Sequence, residues 1–170
     1  MDLIKLPFDM GVKIMSACKE KGIELRTDKN GIMSFEFTQE ELDQITELTI
    51  DPGTKGCLKG IEHLRNLKVL NITSPYRNYA YDNASITDEE ITIISKLTSL
   101  TTLNISGQSK ITWLNLDKLT NLEQLTVIGN MSLNEVVGLD NLKKMKCLSI
   151  YGNKDLYEIP YITEIAKVII

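Results

Sequence analysis

A spacing constrains this chain more than any other feature. The pattern Leu-x-x-Leu-x-Ile/Val occurs at Leu100/Leu103/Ile105 and again at Leu122/Leu125/Val127. It recurs upstream at Leu67/Leu70/Ile72 and Ile45/Leu48/Ile50, and downstream at Met145/Leu148/Ile150 and Ile165/Val168/Ile170. The copies start at residues 45, 67, 100, 122, 145 and 165, so successive spacings are 22, 33, 22, 23 and 20. A fixed period of this size means stacked units that each hide an apolar face on their neighbours. The unit that starts at Leu67 is 11 residues longer than the two 22-residue units and carries an insertion.

Within each copy the apolar residues alternate with polar ones. Leu103 and Ile105 fall on one side of a strand, Thr102, Asn104 and Ser106 on the other. A parallel sheet covered on both faces would read as a continuous apolar run. One face here is therefore expected to be wet, which argues for an open solenoid and against a doubly wound α/β fold. The expected wet positions are Glu47, Thr49, Asp51; Val69, Asn71, Thr73; Thr102, Asn104, Ser106; Gln124, Thr126, Ile128; and Cys147, Ser149, Tyr151. The column Thr49, Asn71, Asn104, Thr126, Ser149 is small and polar. Ile128 and Tyr151 are apolar exceptions that should be neighbours.

Asn130 and Asn153 follow their strands at one common offset, and Gln108 takes that place in the repeat before. An amide there can bond backbone groups left unpaired at the bend. Gly53 and Pro75 stand at the equivalent places upstream, so such a ladder should cover only the C-terminal half. After each bend a second apolar series follows: Leu58, Ile61, Leu64; Leu114, Leu116, Leu119; Val136, Leu139, Leu142. These predict a return limb of short 3₁₀ or α turns.

Pattern and period together are the mark of a leucine-rich repeat. The segments CLKGIEHLRNLKVLNIT and LNEVVGLDNLKKMKCLSI resemble the repeat of the bacterial internalin-like class, and the resemblance covers residues 37–170. It implies an α/β leucine-rich repeat solenoid, right-handed, with a parallel concave sheet of about six strands. It also implies a curved protein-binding surface and no catalysis.

Residues 1–44 hold no repeat and are expected to form an α/β N-terminal cap, with the repeats spanning 45–170. Phe8, Val12, Met15 and Cys18 recur at helical spacing, so Pro7–Lys21 reads as an amphipathic helix ended by Gly22. The stretch IELRTDKNGIMSFEF predicts a hairpin about Asn30-Gly31, and Thr38–Glu41 a capping box that opens a short helix. Residues 28–36 do not place Gly and the oxygen ligands as a calcium loop requires, so a structural turn is expected there.

The insertion, residues 74–85, carries Tyr76, Arg77, Tyr79 and Tyr81. Tyr and Arg are enriched at interface hot spots, and Tyr also packs well on its own neighbours, so the loop serves either role. A second capping box, Thr87–Glu90, should open a helix after it. Trp113, the single Trp, matches Glu135 of the next repeat and is expected near the same rim. The candidate partner-binding set is thus Tyr76, Arg77, Tyr79, Tyr81, Asn104, Trp113, Thr126, Ile128 and Tyr151.

Composition narrows the function classes. With 19 Lys+Arg against 23 Asp+Glu, net −4, the chain lacks the basic footprint of a nucleic-acid binder. No run of about 18 apolar residues predicts a spanning helix. Three cysteines without framework spacing suit reduced thiols. The lone His63 lies on a return limb, and no phosphate loop, His/Cys metal spacing or nucleophile motif is present. Neither catalysis nor a cofactor is expected. Four Asn-x-Ser/Thr sequons, at Asn71, Asn83, Asn104 and Asn130, read as by-products of the repeat rather than glycan acceptors.

The N-terminal residues do not form a secretory signal, which favours the cytoplasm, whereas the internalin resemblance favours secretion or the cell surface. The expected function is a protein-protein interaction module, its partner an unidentified protein, without membrane insertion. The alternative is an assembly module that forms a homo-dimer through the strand edge Ile165–Ile170.

Overall fold

A computed structural model describes residues 2–27, 31–32, 34–52, 56–74, 85–156 and 167–169, the last three by their backbone. The chain opens with strand β1 (Ile4–Lys5), helix α1 (Phe8–Glu20), strand β2 (Glu36–Phe37) and helix α2 (Gln39–Leu42). The repeats follow: β3 (Glu47–Ile50), a 3₁₀ turn at Ile61–His63, β4 (Val69–Thr73), α3 (Asp88–Ile94), β5 (Thr102–Ser106) and β6 (Trp113–Asn115). Then come β7 (Gln124–Ile128), β8 (Glu135–Val137), a 3₁₀ turn at Leu139–Asn141, β9 (Cys147–Tyr151) and β10 (Lys167–Ile169).

Six strands form one parallel sheet in the order β10-β9-β7-β5-β4-β3. Each strand pairs with the strand one repeat away, so equivalent residues stand side by side: Leu48, Leu70, Leu103, Leu125 and Leu148 are in register, as are Ile50, Ile72, Ile105, Val127 and Ile150. These ten side chains are all buried. The alternate residues face out. The order of strands, their one-repeat steps and the single covered face define an open leucine-rich repeat solenoid, as the period predicts.

The return limbs complete the core. Leu58, Ile61 and Leu64, then Leu114, Leu116 and Leu119, then Val136, Leu139 and Leu142 are buried in one cluster with the strand residues. The expected 3₁₀ turns are present in two limbs. The expectation of turns alone needs correction, because β6 and β8 pair parallel as a second, two-stranded sheet. Trp113 sits opposite Glu135 in that pair. Gly138 opens the adjacent turn at φ +85°, where a Cβ would lie 2.5 Å from the Asp117 backbone nitrogen.

Carboxamides link the bends. The Asn130 oxygen accepts the Gln108 N–H at 3.0 Å, and the Asn153 oxygen accepts the Asn130 N–H at 2.9 Å. Each side-chain nitrogen donates to the preceding strand, Asn130 to the Ile105 carbonyl and Asn153 to that of Val127. The Gln108 oxygen in turn accepts the Ile86 N–H at 3.0 Å. All three carboxamides are buried, so each bond replaces a solvent contact the backbone has lost. Asn130 is therefore closed to glycan attachment.

The helix after the insertion is tied back to the previous repeat. Glu90 is 2% exposed, and its carboxylate accepts the N–H groups of Thr87, at 3.1 Å, and Leu58, at 3.2 Å. Asp88 accepts the Thr112 N–H and hydroxyl at 2.7 and 2.6 Å.

The N-terminal region departs from expectation twice. Helix α1 forms after Pro7, but its buried stripe is Met10, Ile14 and Cys18. Phe8 and Val12 are exposed, at 70% and 46%, and Met15 is only partly covered. Gly11 decides the rotation: the Phe35 ring lies where its Cβ would be, within 2.5 Å, and Phe8 meets Phe35 edge to face at 5.3 Å. The expected hairpin is the second departure. β2 pairs antiparallel with β1, Ile4 opposite Phe37, while residues 23–27 meet the β2 segment through the Ser34 N–H to Arg26 carbonyl bond at 2.9 Å and the Arg26 guanidinium, which donates to the Glu36 carbonyl at 3.4 Å. The turn residues Asp28 and Asn30 lie outside the described residues. The capping box of α2 forms as expected: Thr38 and Glu41 exchange side-chain to backbone bonds of 3.2 and 2.7 Å.

Candidate functional site

The open face of the sheet is built by periodicity. A strand presents every second side chain to each face, and the parallel register lines these side chains into columns. The middle column runs Thr49, Asn71, Asn104, Thr126, Ser149. Beside it run Thr73, Ser106, Ile128 and Tyr151, with Ile128 and Tyr151 directly opposite each other on β7 and β9. Ile128 is half-buried and Tyr151 is 46% exposed.

None of the twelve outward positions on β4, β5, β7 and β9 is charged, although a quarter of the whole chain is. Charge enters at the β3 margin, with Glu47 and Asp51, at the β10 margin, where Lys167 stands in register with Cys147, and below the strands, where Lys146 pairs with Glu123 at 2.7 Å. The one aromatic on β4, β5, β7 and β9 is Tyr151, at the end of β9. Asn71 donates to the Thr49 hydroxyl at 3.3 Å, whereas the Asn104 side-chain oxygen is buried without a protein partner.

Four candidate residues, Asn104, Thr126, Ile128 and Tyr151, share this face. Trp113 does not: it stands on the second sheet, half-buried against the core. Tyr76, Arg77, Tyr79 and Tyr81 lie outside the described residues. Ile165 and Ile170, the bounds of the expected edge, do too, although β10 pairs with β9 in the expected register.

The thiols and the histidine, Cys147 excepted, are placed away from this face or sealed. Cys18 and Cys57 are buried and Cys147 lies half-exposed on the open face. Burial, reinforced by the neighbouring Glu90 carboxylate, pushes the Cys57 thiol up to about 12. His63 is half-buried in a 3₁₀ turn, where its backbone carbonyl accepts the Gln39 side chain at 2.9 Å. Among the described residues no group of three His, Cys, Asp or Glu side chains could hold a metal ion. No helix among them is long and apolar enough to cross a membrane.

One feature escaped sequence reasoning. A groove of about 430 Å³ runs between α1 and β3, lined by residues from Val12 to Glu20 on one wall and from Glu47 to Thr49 on the other. Its only sequence signal is the second apolar stripe of α1, which the helix does not bury.

These columns and the uncharged open face define a leucine-rich repeat solenoid of the kind that displays one sheet face. No protein-family model matches the chain, and no curated protein matches it. Among solved structures it is similar to an internalin (inlF) from Listeria monocytogenes, at 24% identity and a TM-score of 0.46, over 86% of this chain and 50% of that one. It is also similar to internalin C2 (inlC2) of the same organism, at 19% identity and a TM-score of 0.33, over 87% of this chain and 79% of that one. The chain thus spans half the length of the first of these internalins.

Proposed function

We propose that the chain is a non-catalytic protein-interaction module whose open sheet face docks a protein partner. One observation carries the reading: twelve neighbouring outward positions hold no charge, and among them the half-buried Ile128 stands opposite the exposed Tyr151. The strands hold these side chains in fixed rungs about 4.8 Å apart, so little conformational entropy is lost when a partner binds. Trp113 and the Tyr76–Tyr81 loop are proposed as a flanking contact on the same partner.

Immobilised protein should retain a specific partner that Thr126→Lys and Tyr151→Ser variants release, both variants melting as the unmodified chain does. Retention unchanged by both substitutions overturns the reading. A second reading, assembly of copies through β10, draws on that strand's outermost place in the sheet among the described residues. Sedimentation that shows a clean monomer at high micromolar concentration rejects it.

A further inference from the structure

The two sides of β3 are unlike. Toward β4 its pairing is complete: the Val69 N–H donates to the Thr46 carbonyl at 3.1 Å, and the register continues from Glu47 opposite Val69 to Ile50 opposite Ile72. Alternation of a parallel ladder then turns the N–H and C=O groups of Glu47 and Thr49 the other way. Among the described residues nothing pairs with them. The far end of this edge is reached by one side chain, Lys13, whose ammonium donates to the Asp51 carbonyl at 3.4 Å.

The groove beside α1 lies along that unpaired edge. Val12, Ala17 and Leu48 give it apolar surface, and Glu20 and Glu47 give it two carboxylates. Its volume, about 430 Å³, falls within the range of ligand-binding clefts. An exposed row of backbone donors and acceptors beside a shaped cleft is the chemistry of strand addition: the main chain supplies affinity, and pockets for alternate side chains supply selection. Lys13 also lines the groove and reaches the Asp51 carbonyl at its far end, so the lining carries two carboxylates against one ammonium, an acidic balance that complements a cation.

We propose that the free edge of β3 and the groove beside α1 take up an extended peptide segment of a partner protein, as one more strand, with a Lys or Arg side chain directed at Glu20 and Glu47. This surface meets the open face only at its β3 margin, away from Ile128 and Tyr151 on β7 and β9, so either can fail without the other. In this arrangement the peptide backbone bonds Glu47 and Thr49, one alternate side chain lies against Val12 and Ala17, and the basic residue meets the carboxylates.

The test is a selection of random nine-residue peptides on the intact chain, followed by amide hydrogen exchange with a selected synthetic peptide. The expected result is enrichment of Lys- or Arg-bearing, β-branched sequences that slow exchange at Glu47 and Thr49. Thr49→Pro removes an N–H that the fold leaves unused, which an edge strand tolerates. It should weaken such a peptide by about tenfold, the worth of one net hydrogen bond. The pair of substitutions Glu20→Gln and Glu47→Gln should weaken it several-fold and remove the basic preference, while Tyr151→Ser leaves it unchanged. Failure to enrich any extended peptide overturns the proposal, as does a selected peptide that protects only open-face amides. The exchange readout on the unmodified chain decides the matter even if Thr49→Pro fails to fold.

Discussion

The side-chain oxygen of Asn153 accepts both the backbone N–H and the side-chain N–H of Asn130, at 2.9 and 3.1 Å. Asn130 passes the same kind of bond on to Gln108, so one carboxamide closes two bends. Asn130→Ala leaves the buried Gln108 N–H and the Ile105 carbonyl without their partner. At about 1–3 kcal/mol for each of the two groups left unsatisfied, the loss should be roughly 2–6 kcal/mol. Urea unfolding checks it, and a loss under about 0.5 kcal/mol, the scale of an ordinary surface change, would show that the ladder is not stabilising.

Strand register makes a sharper contrast. Leu103 is fully buried and Asn104, the next residue, faces out. Leu103→Ala should cost about 2–5 kcal/mol as a large-to-small core change. Asn104→Ala should be nearly neutral, because the side-chain oxygen it removes has no protein partner. Equal melting of the two variants contradicts the register.

Thiol labelling should separate the three cysteines. Cys147 is half-exposed, whereas Cys18 and Cys57 are buried and their thiols are pushed up by burial. At pH 8 a small maleimide should modify Cys147 in the native protein and all three only after denaturation, since the thiolate is the reactive form. Native labelling of Cys57 at a rate comparable to Cys147 is the contrary outcome, read by mass spectrometry.

The Arg26–Glu41 pair predicts an acid-sensitive limb. The Arg26 guanidinium bonded to Glu41 holds that carboxyl below its ordinary value, with burial opposing and the Thr38 N–H assisting. A carboxyl lowered in the folded state stabilises it above the unfolded value, about 4.3, and that stabilisation is lost as pH falls through the folded value. Glu41→Gln should therefore be less stable than the unmodified chain at pH 7, and the gap should narrow below pH ~4. Thermal melts from pH 7 to 3 follow it; a gap constant with pH removes the assigned cause.

Most of the sheet was legible because its information is local. Leu103 faces in and Asn104 faces out by a two-residue alternation, and the constant offset from strand to bend placed Asn130 beside Asn153. The Ile128–Tyr151 contact follows from the same period. Helix α1 was not legible in this way. Phe8/Val12/Met15 and Met10/Ile14 both satisfy helical spacing and both lead to Cys18, so the pattern has two solutions. The choice is made by Phe35 against Gly11, a contact across 24 residues. The limb strands around Trp113 and Glu135 are three residues each, too short for alternation to distinguish them from turns. The groove beside β3 has walls some 30 residues apart, and no local pattern announces a space between elements.

In the proposed docking, encounter with the uncharged strands β4, β5, β7 and β9 is unsteered by side-chain charge at their outward positions. Ionic attraction reaches out about 8 Å at physiological ionic strength, whereas the hydroxyl and amide groups of Thr126, Asn104 and Ser149 act only at bonding distance. A molecule arriving there does so at the unassisted rate, about 10⁵–10⁶ M⁻¹s⁻¹, and added salt changes that rate little. On that proposal, discrimination among arrivals rests on residence time, and so on the fit around Ile128 and Tyr151 after contact.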